Sequence, residues 1–470
     1  MRTRAVGVCC LVFLGHAYFA GGLGWNQSAR VAATLAFVEP GPNRFTLRID
    51  DFTQSDERNL YTGDWAKGSD GHYYTNKAPG LSLIGIPAYA VLYGLERLVG
   101  LEPRAEPVTR FNTILLNLLC SVAITAAAGA VLYGFLVAGG LGHAAALLGV
   151  LAHAFGTLVF PYDTSLWGHA TGASCLLAAL CLAHWPGGTR APLLAGVLGG
   201  LAVLVEYHAL FGLAAVGSAL LTPGSSRRQR FAFAAGAAGP LLLLAVYQKL
   251  AFGGFLTTAI SQGNPIFRDP VRVFGVLGEI DPGAVSGLLF SSYRGLFLFC
   301  PVLLFAALGG WQCWHSGRRM LVATCLAAFA ASVAFVASFN EWPGGSANGP
   351  RYLIVAIPLL SILSPATRGL AAWARGLYYG ALTLSCFNML AVTAVEVMVD
   401  EAERNPLYGL AYRELLSGAY PHNGDTLNLG RLLGLTPPFD VLLFLLVFGG
   451  WAFLLLRVAA APGDHGPRGS

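Results

Sequence analysis

Three kinds of side chain recur in the polar stretches of this sequence: carboxylates, fixed cations and aromatic hydroxyls. The richest stretch holds Arg48-Ile49-Asp50-Asp51, then Asp64-Trp65, then Asp70-Gly71-His72-Tyr73-Tyr74-Thr75-Asn76-Lys77-Ala78-Pro79-Gly80. Neighbouring carboxylates at a partly desolvated boundary hold a raised pKa and can take a proton from a hydroxyl, which makes Asp50 and Asp51 candidate bases. Adjacent aspartates are more often plain solvated loop residues. A second stretch, Gly344-Gly345-Ser346-Ala347-Asn348-Gly349-Pro350-Arg351-Tyr352, ends in an arginine at a predicted helix start. Glycines let backbone N–H groups approach a ligand, and a guanidinium can grip a phosphate by a forked contact. Tyr293-Arg294-Gly295 and Trp167-Gly168-His169 each precede a further apolar run, where boundary aromatics are expected in any case. Glu206, in Val205-Glu206-Tyr207-His208, interrupts an apolar run, where a charge is costly and marks either a site or a bond between helices.

The elements that must position these groups are membrane helices. Of 470 residues 55% are hydrophobic and only 11% charged, against about 25% charged in soluble proteins. Too little polar surface remains to cover a water-facing globule. A spanning helix needs roughly 20 apolar residues. Apolar runs predict helices near 5–24, 111–137, 143–160, 168–185, 191–221 (two, bent near Glu206), 231–250, 296–312, 320–338, 352–366, 374–397 and 438–457. The fold class expected is an all-α polytopic membrane protein with about 11–13 transmembrane helices, in a single domain over 1–470.

Arginine placement sets the topology. Arg2, Arg4, Arg190, Arg227, Arg228, Arg230, Arg318, Arg319, Arg368, Arg375 and Arg457 share one side if the first helix runs outward, and that side is then cytoplasmic. The run 79–98 breaks this pattern if it spans, so it is read as re-entrant or lying at the outer interface, as is the amphipathic stretch carrying Val31, Leu35 and Val38. The long polar loops 25–110, 251–295, 339–351 and 398–437 then face outward together. The first apolar run is read as an uncleaved helix, and the Asn26-Gln27-Ser28 acceptor pattern lies too near the membrane to count. Nine scattered cysteines form no CxxC or Cys/His spacing and read as small packing residues. The net charge of +5 resides in short loops, which reads as topology and not as a nucleic-acid surface.

The stretch Gly71-His72-Tyr73-Tyr74-Thr75-Asn76-Lys77-Ala78-Pro79, with Gly349-Pro350-Arg351-Tyr352 and a first helix followed by a surface helix, resembles the GT-C class of membrane glycosyltransferases. The likeness is to the bacterial branch with protein-mannosyltransferase-like and aminoarabinose-transferase-like members. The resemblance implies inverting transfer of a sugar from a polyprenyl-phosphate donor to a glycan, lipid or protein acceptor, outside the bacterial inner membrane. Where such enzymes carry an acidic pair after the first helix, this chain has Asn26-Gln27, followed by Arg30, and neither amide can act as a base. The base is then expected at Asp50, with Asp64 second and Asp51 the remaining candidate. Lys77, Arg351 and Arg294 are expected at the donor phosphate. Arg30, His72, Tyr74, His169, Glu206 and Tyr352 are expected around the substrates. No metal ligands are assigned, although some members of the class use a divalent ion. Two other readings compete: a non-catalytic scaffold or lipid-binding subunit, and a transporter or lipid flippase, which would thread polar groups through mid-membrane.

Overall fold

The computed structural model describes residues 2–54, 58–185, 188–222, 224–365, 367, 370–418, 420 and 426–460. Arg368 and parts of the outer loops 25–110 and 398–437 fall outside these residues. The chain is an all-α polytopic membrane protein. Among the described residues six helices are long and apolar enough to cross a bilayer: Gly80–Leu98, Glu106–Ala138, Arg227–Phe252, Arg319–Ala337, Ala372–Val395 and Phe439–Ala460. Five shorter apolar helices accompany them.

In chain order the first half comprises α1 Arg2–Ala17, α2 Trp25–Val38, α3 Gly80–Leu98, α4 Glu106–Asn117, α5 Ala123–Ala138, α6 His143–Ala154, α7 Val159–Asp163, α8 His169–Ala183, α9 Arg190–Val205, α10 Leu210–Ala219 and α11 Arg227–Phe252. Several expected spans are shorter than the apolar run that predicted them. The first ends at Ala17, and Phe19–Gly21 pairs as an antiparallel strand with Thr426–Asn428. The run 296–312 divides at Cys300-Pro301, where proline cannot donate a helical hydrogen bond. Short apolar helices persist because protein surrounds them: in α8 every residue from His169 through Cys181 is buried.

One end of the bundle gathers the basic connections. Arg4 reaches Tyr133, whose hydroxyl lies 2.8 Å from His143. Arg318 donates to the Gly139 carbonyl at 3.5 Å, Gln229 to Gly188 at 3.1 Å and Arg230 to Leu220 at 3.0 Å. Arg4, Arg230 and Arg318 thus lie among the short connections.

α3 is long enough to span, yet it does not run to that end. It lies parallel to α2, with Ser82 hydrogen-bonded to the Arg30 carbonyl at 2.9 Å and Tyr89 to Glu39 at 2.8 Å. It starts against Leu204 and Val205, where α9 ends, so closely that a Cβ on Gly80 would sit 2.5 Å from the Leu204 carbonyl oxygen. Past its other end, Arg104 binds Glu39 at 3.1 Å, just before α4 begins. The continuous α4–α5 rod of 33 residues, about 50 Å long, separates that point from Arg4. Both ends of α3 thus lie away from the basic end. α2 is helical as expected, but Asn26 through Ala36 are buried under α3 and the neighbouring loop, so protein covers its apolar stripe. A second hydrophobic cluster, built on Val31, Leu35, Ile49, Phe52, Ala66 and Leu81, fixes this assembly on the bundle.

Candidate active site

The site is assembled by four local structures. The first is a hairpin, Trp65–Lys67 against Tyr73–Thr75, in the register Trp65↔Thr75 and Lys67↔Tyr73. The register continues one step, with the Asn76 N–H on the Asp64 carbonyl at 3.0 Å. That sets Lys77 Nζ 3.0 Å from Asp64 Oδ2, while Asn76 Nδ2 donates to Asp64 Oδ1 at 3.1 Å. Burial alone would raise the Asp64 pKa; the Lys77 charge and hydrogen bond, then Asn76 and Arg351, outweigh it and hold the group below the usual carboxylate value.

The second structure is the break after α9. Glu206 is extended (φ −143°, ψ 113°), so the run 191–221 does divide there. Its Oε1 accepts from Arg30 Nη2 at 2.7 Å, and Arg30 also donates from Nε to Asn26 Oδ1 at 3.1 Å. Arg30 is fully buried. The third is the turn before α8, where His169 Nδ1 lies 3.3 Å from Glu206 Oε1. Gly168 makes that approach feasible: its φ is +83°, and a Cβ there would lie 2.7 Å from both Arg30 Cζ and Glu206 Oε1. The fourth is the glycine-rich loop before Arg351. Arg351 Cζ sits 5.2 Å from the Trp167 ring centroid and 5.1 Å from that of Tyr352. His169 stacks on Trp167 (6.1 Å, 22°) and meets Tyr352 edge-on (6.0 Å, 84°). Arg351, Arg30 and Lys77 all act electrostatically on His169, which joins the four parts into one cluster.

Seven of the expected residues meet here: Arg30, Asp64, Lys77, His169, Glu206, Arg351 and Tyr352. Asp50 lies elsewhere. Its carboxylate accepts from the Tyr73 N–H at 3.1 Å and lies 3.3 Å from His72 Nδ1. Tyr73 is four residues from Lys77, or roughly 13 Å along an extended strand. Asp51 accepts from Asn43 at 3.2 Å. Tyr74 donates to Asp70 at 2.9 Å, on the same carboxylate oxygen that Arg48 holds at 2.8 Å. Asp50, His72 and Tyr74 thus lie at the turn end of the hairpin and Asp51 beside Asn43, apart from the cluster. Arg294 is close but committed: it donates to the carbonyls of Pro343 (2.8 Å), Gly345 (3.0 Å) and Tyr293 (3.2 Å), and so pins the loop beside Arg351. Asn26 and Gln27 are both used locally, Asn26 on Arg30 and Gln27 as the acceptor for the Gly24 N–H at 3.1 Å.

Sequence reasoning passed over Trp167, Gly168 and Asn76. The first two stand beside His169 in a segment already singled out, and Asn76 adjoins Lys77; a fully polar or glycine neighbour of a candidate is the signal available. Among the described residues no three His, Cys, Asp or Glu side chains are grouped to hold a metal ion.

No protein-family model matches the chain, and no curated protein matches it. It is similar in structure to ArnT from Cupriavidus metallidurans, in the apo state (TM-score 0.46, 15% identity, 96% of this chain and 75% of that one). The same protein bound to undecaprenyl phosphate gives a TM-score of 0.47 at 16% identity, over 97% of this chain and 76% of that one.

Proposed function

We propose that this chain is an integral membrane glycosyltransferase that moves a sugar from a polyprenyl-phosphate donor to a cell-envelope acceptor. The observation that carries the reading is the Asp64–Lys77–Arg351 group, a buried carboxylate beside two half-buried cations, at the end of the bundle away from the basic loops. A carboxylate and two cations, shielded from water at a bilayer surface, suit the transfer of a group from a lipid-linked phosphate to a hydroxyl. Because basic loops favour the cytoplasm, the group faces outward, in a bacterial inner membrane with the N-terminus inside.

Lys77 and Arg351 take the donor phosphate. As the phosphate draws Lys77 toward itself, Asp64 loses its counter-ion and becomes more basic, ready to accept the acceptor hydroxyl proton. The acceptor oxygen then bonds to the sugar anomeric carbon from the face opposite the phosphate. The bond between that carbon and the phosphate oxygen breaks, its electron pair leaves with the lipid phosphate, and the cations stabilise the charge. Glu206 and His169, held by Arg30 and Trp167, form the wall on which the sugar or acceptor is oriented.

Asn26 favours a second reading, a non-catalytic lipid-binding subunit, because it stands where the resemblance places an acid and is instead a neutral ligand of Arg30. Purified protein in nanodiscs, given polyprenyl-phosphate sugars with a labelled sugar and envelope acceptors, separates the two. Labelled product and released polyprenyl phosphate support the enzyme; lipid binding with no product from any donor supports the subunit. In sealed vesicles, lipid movement with no glycosidic product points to a flippase.

A further inference from the structure

Three arginines lie in or beside the cluster, and they are held in different ways. Arg30 has its Nη2 on Glu206 and its Nε on Asn26. Arg294 spends its N–H groups on three backbone carbonyls. Arg351 is held by ring faces: its guanidinium lies over Trp167 at 5.2 Å and over Tyr352 at 5.1 Å. Among the described residues it makes no ion pair, its nearest hydrogen bond runs to the Tyr352 hydroxyl at 3.4 Å, and its Nε is buried without a hydrogen-bond partner. Gly344, at φ +84°, presses on the stem from the loop side, where a Cβ would lie 3.1 Å from Arg351 Cγ and Nε.

The difference is chemical. A carboxylate partner would fix a guanidinium while neutralising it and occupying its fork. Aromatic faces attract the cation through the ring quadrupole and leave the in-plane N–H donors unspent. Those donors suit a two-point contact with a phosphate.

We infer that Trp167 is a positioning residue for phosphate recognition: with Tyr352 it holds Arg351 charged, oriented and free of an ion pair, so that the guanidinium edge meets the donor phosphate. Trp167 is 2% exposed and packs against Arg351 and His169. The inference rests on the reading above, in which Arg351 meets a lipid phosphate.

The test compares binding of a polyprenyl monophosphate with that of the matching polyprenol, in detergent micelles, for the wild type, Trp167→Phe and Trp167→Leu. The ratio of the two affinities isolates the phosphate from the tail. Trp167→Leu is expected to lower the preference for phosphate about tenfold, equivalent to 1.4 kcal/mol, while Trp167→Phe keeps a ring and most of the preference. A residue that only filled space would weaken both ligands alike and leave the ratio unmoved, and that result would overturn the inference. A wild type that shows no preference for phosphate sinks the underlying reading instead. Should Trp167→Leu not fold, Tyr352→Leu removes the other face: an unchanged ratio there overturns the inference, and a reduced one supports it.

Discussion

Replacing Asp64 by asparagine has two consequences of opposite sign. Asparagine has the same shape, and its Oδ1 can still accept from Asn76, now at 3.1 Å. What disappears is the negative charge 3.0 Å from Lys77. If Asp64 takes the acceptor proton, turnover falls by the worth of a positioned base, about 10²–10⁴-fold. Lys77, meanwhile, no longer has to leave a carboxylate in order to meet a phosphate, so the donor binds at least as tightly as before. The expected pattern is a large loss in kcat with an unchanged or lowered KM for the polyprenyl-phosphate sugar. A residue that merely supported the fold would lose both. The assay is single-substrate kinetics in nanodiscs with labelled sugar, normalised to folded protein, beside donor binding measured without acceptor. Asp50→Asn is the matched comparison: it sits at the His72 end of the hairpin and is expected to stay within about threefold of wild type, well short of the loss of a base. Turnover near wild type in Asp64→Asn refutes the assignment, and a collapse in Asp50→Asn moves the base to the far end of the hairpin.

Other perturbations probe the scaffold of the site. Because the folded Asp64 pKa is lowered from an unfolded value of about 3.9, the group contributes stability above about pH 4 and loses it as the pH falls further. The melting-temperature gap between wild type and Asp64→Asn in detergent should therefore narrow as pH drops from 7 to 3; a constant gap contradicts this. Glu206→Ala leaves Arg30 buried and unpaired, at a cost of about 3–5 kcal/mol. Replacing both Arg30 and Glu206 by leucine should cost less than the sum of the single changes in chemical denaturation, and strict additivity would argue against their coupling. Gly168→Ala forces a Cβ to 2.7 Å from Arg30 and Glu206 at φ +83°, a loss of about 1–3 kcal/mol, which thermal unfolding would detect.

Much of the architecture could be read from apolar runs and arginines, because both answer to the bilayer and act over short stretches of chain. The division at Glu206 was visible for the same reason: a carboxylate in an apolar run must leave the helix or find a cation, and it does both. What the runs could not convey was non-local. Nothing near Phe19 announces that it will pair with Asn428 and end the first helix early. For α3, composition and charge placement point different ways, since the helix is long and apolar enough to span; what the sequence could not convey is that Tyr89 and Arg104 both reach Glu39.

The choice among aspartates turned on a feature the sequence does contain. Trp65-Ala66-Lys67 and Tyr73-Tyr74-Thr75 flank Gly68-Ser69-Asp70-Gly71, and Gly71 takes φ +87° to reverse the chain. A hairpin centred there puts residue 64 opposite 76, so Asp64 is carried to Lys77 by register alone, while Asp50, at the start of a short 3-10 turn beside Tyr73, stops at the far end. Proximity along the chain favoured neither: Asp64 is 13 residues from Lys77 and Asp50 is 27, both too far for local contact. A shift of one residue in the pairing would turn every side chain of the strand to the opposite face. The identity of the carboxylate that faces the cations is thus decided by a glycine turn with no chemistry of its own, and a search restricted to reactive residue types could not have weighed it.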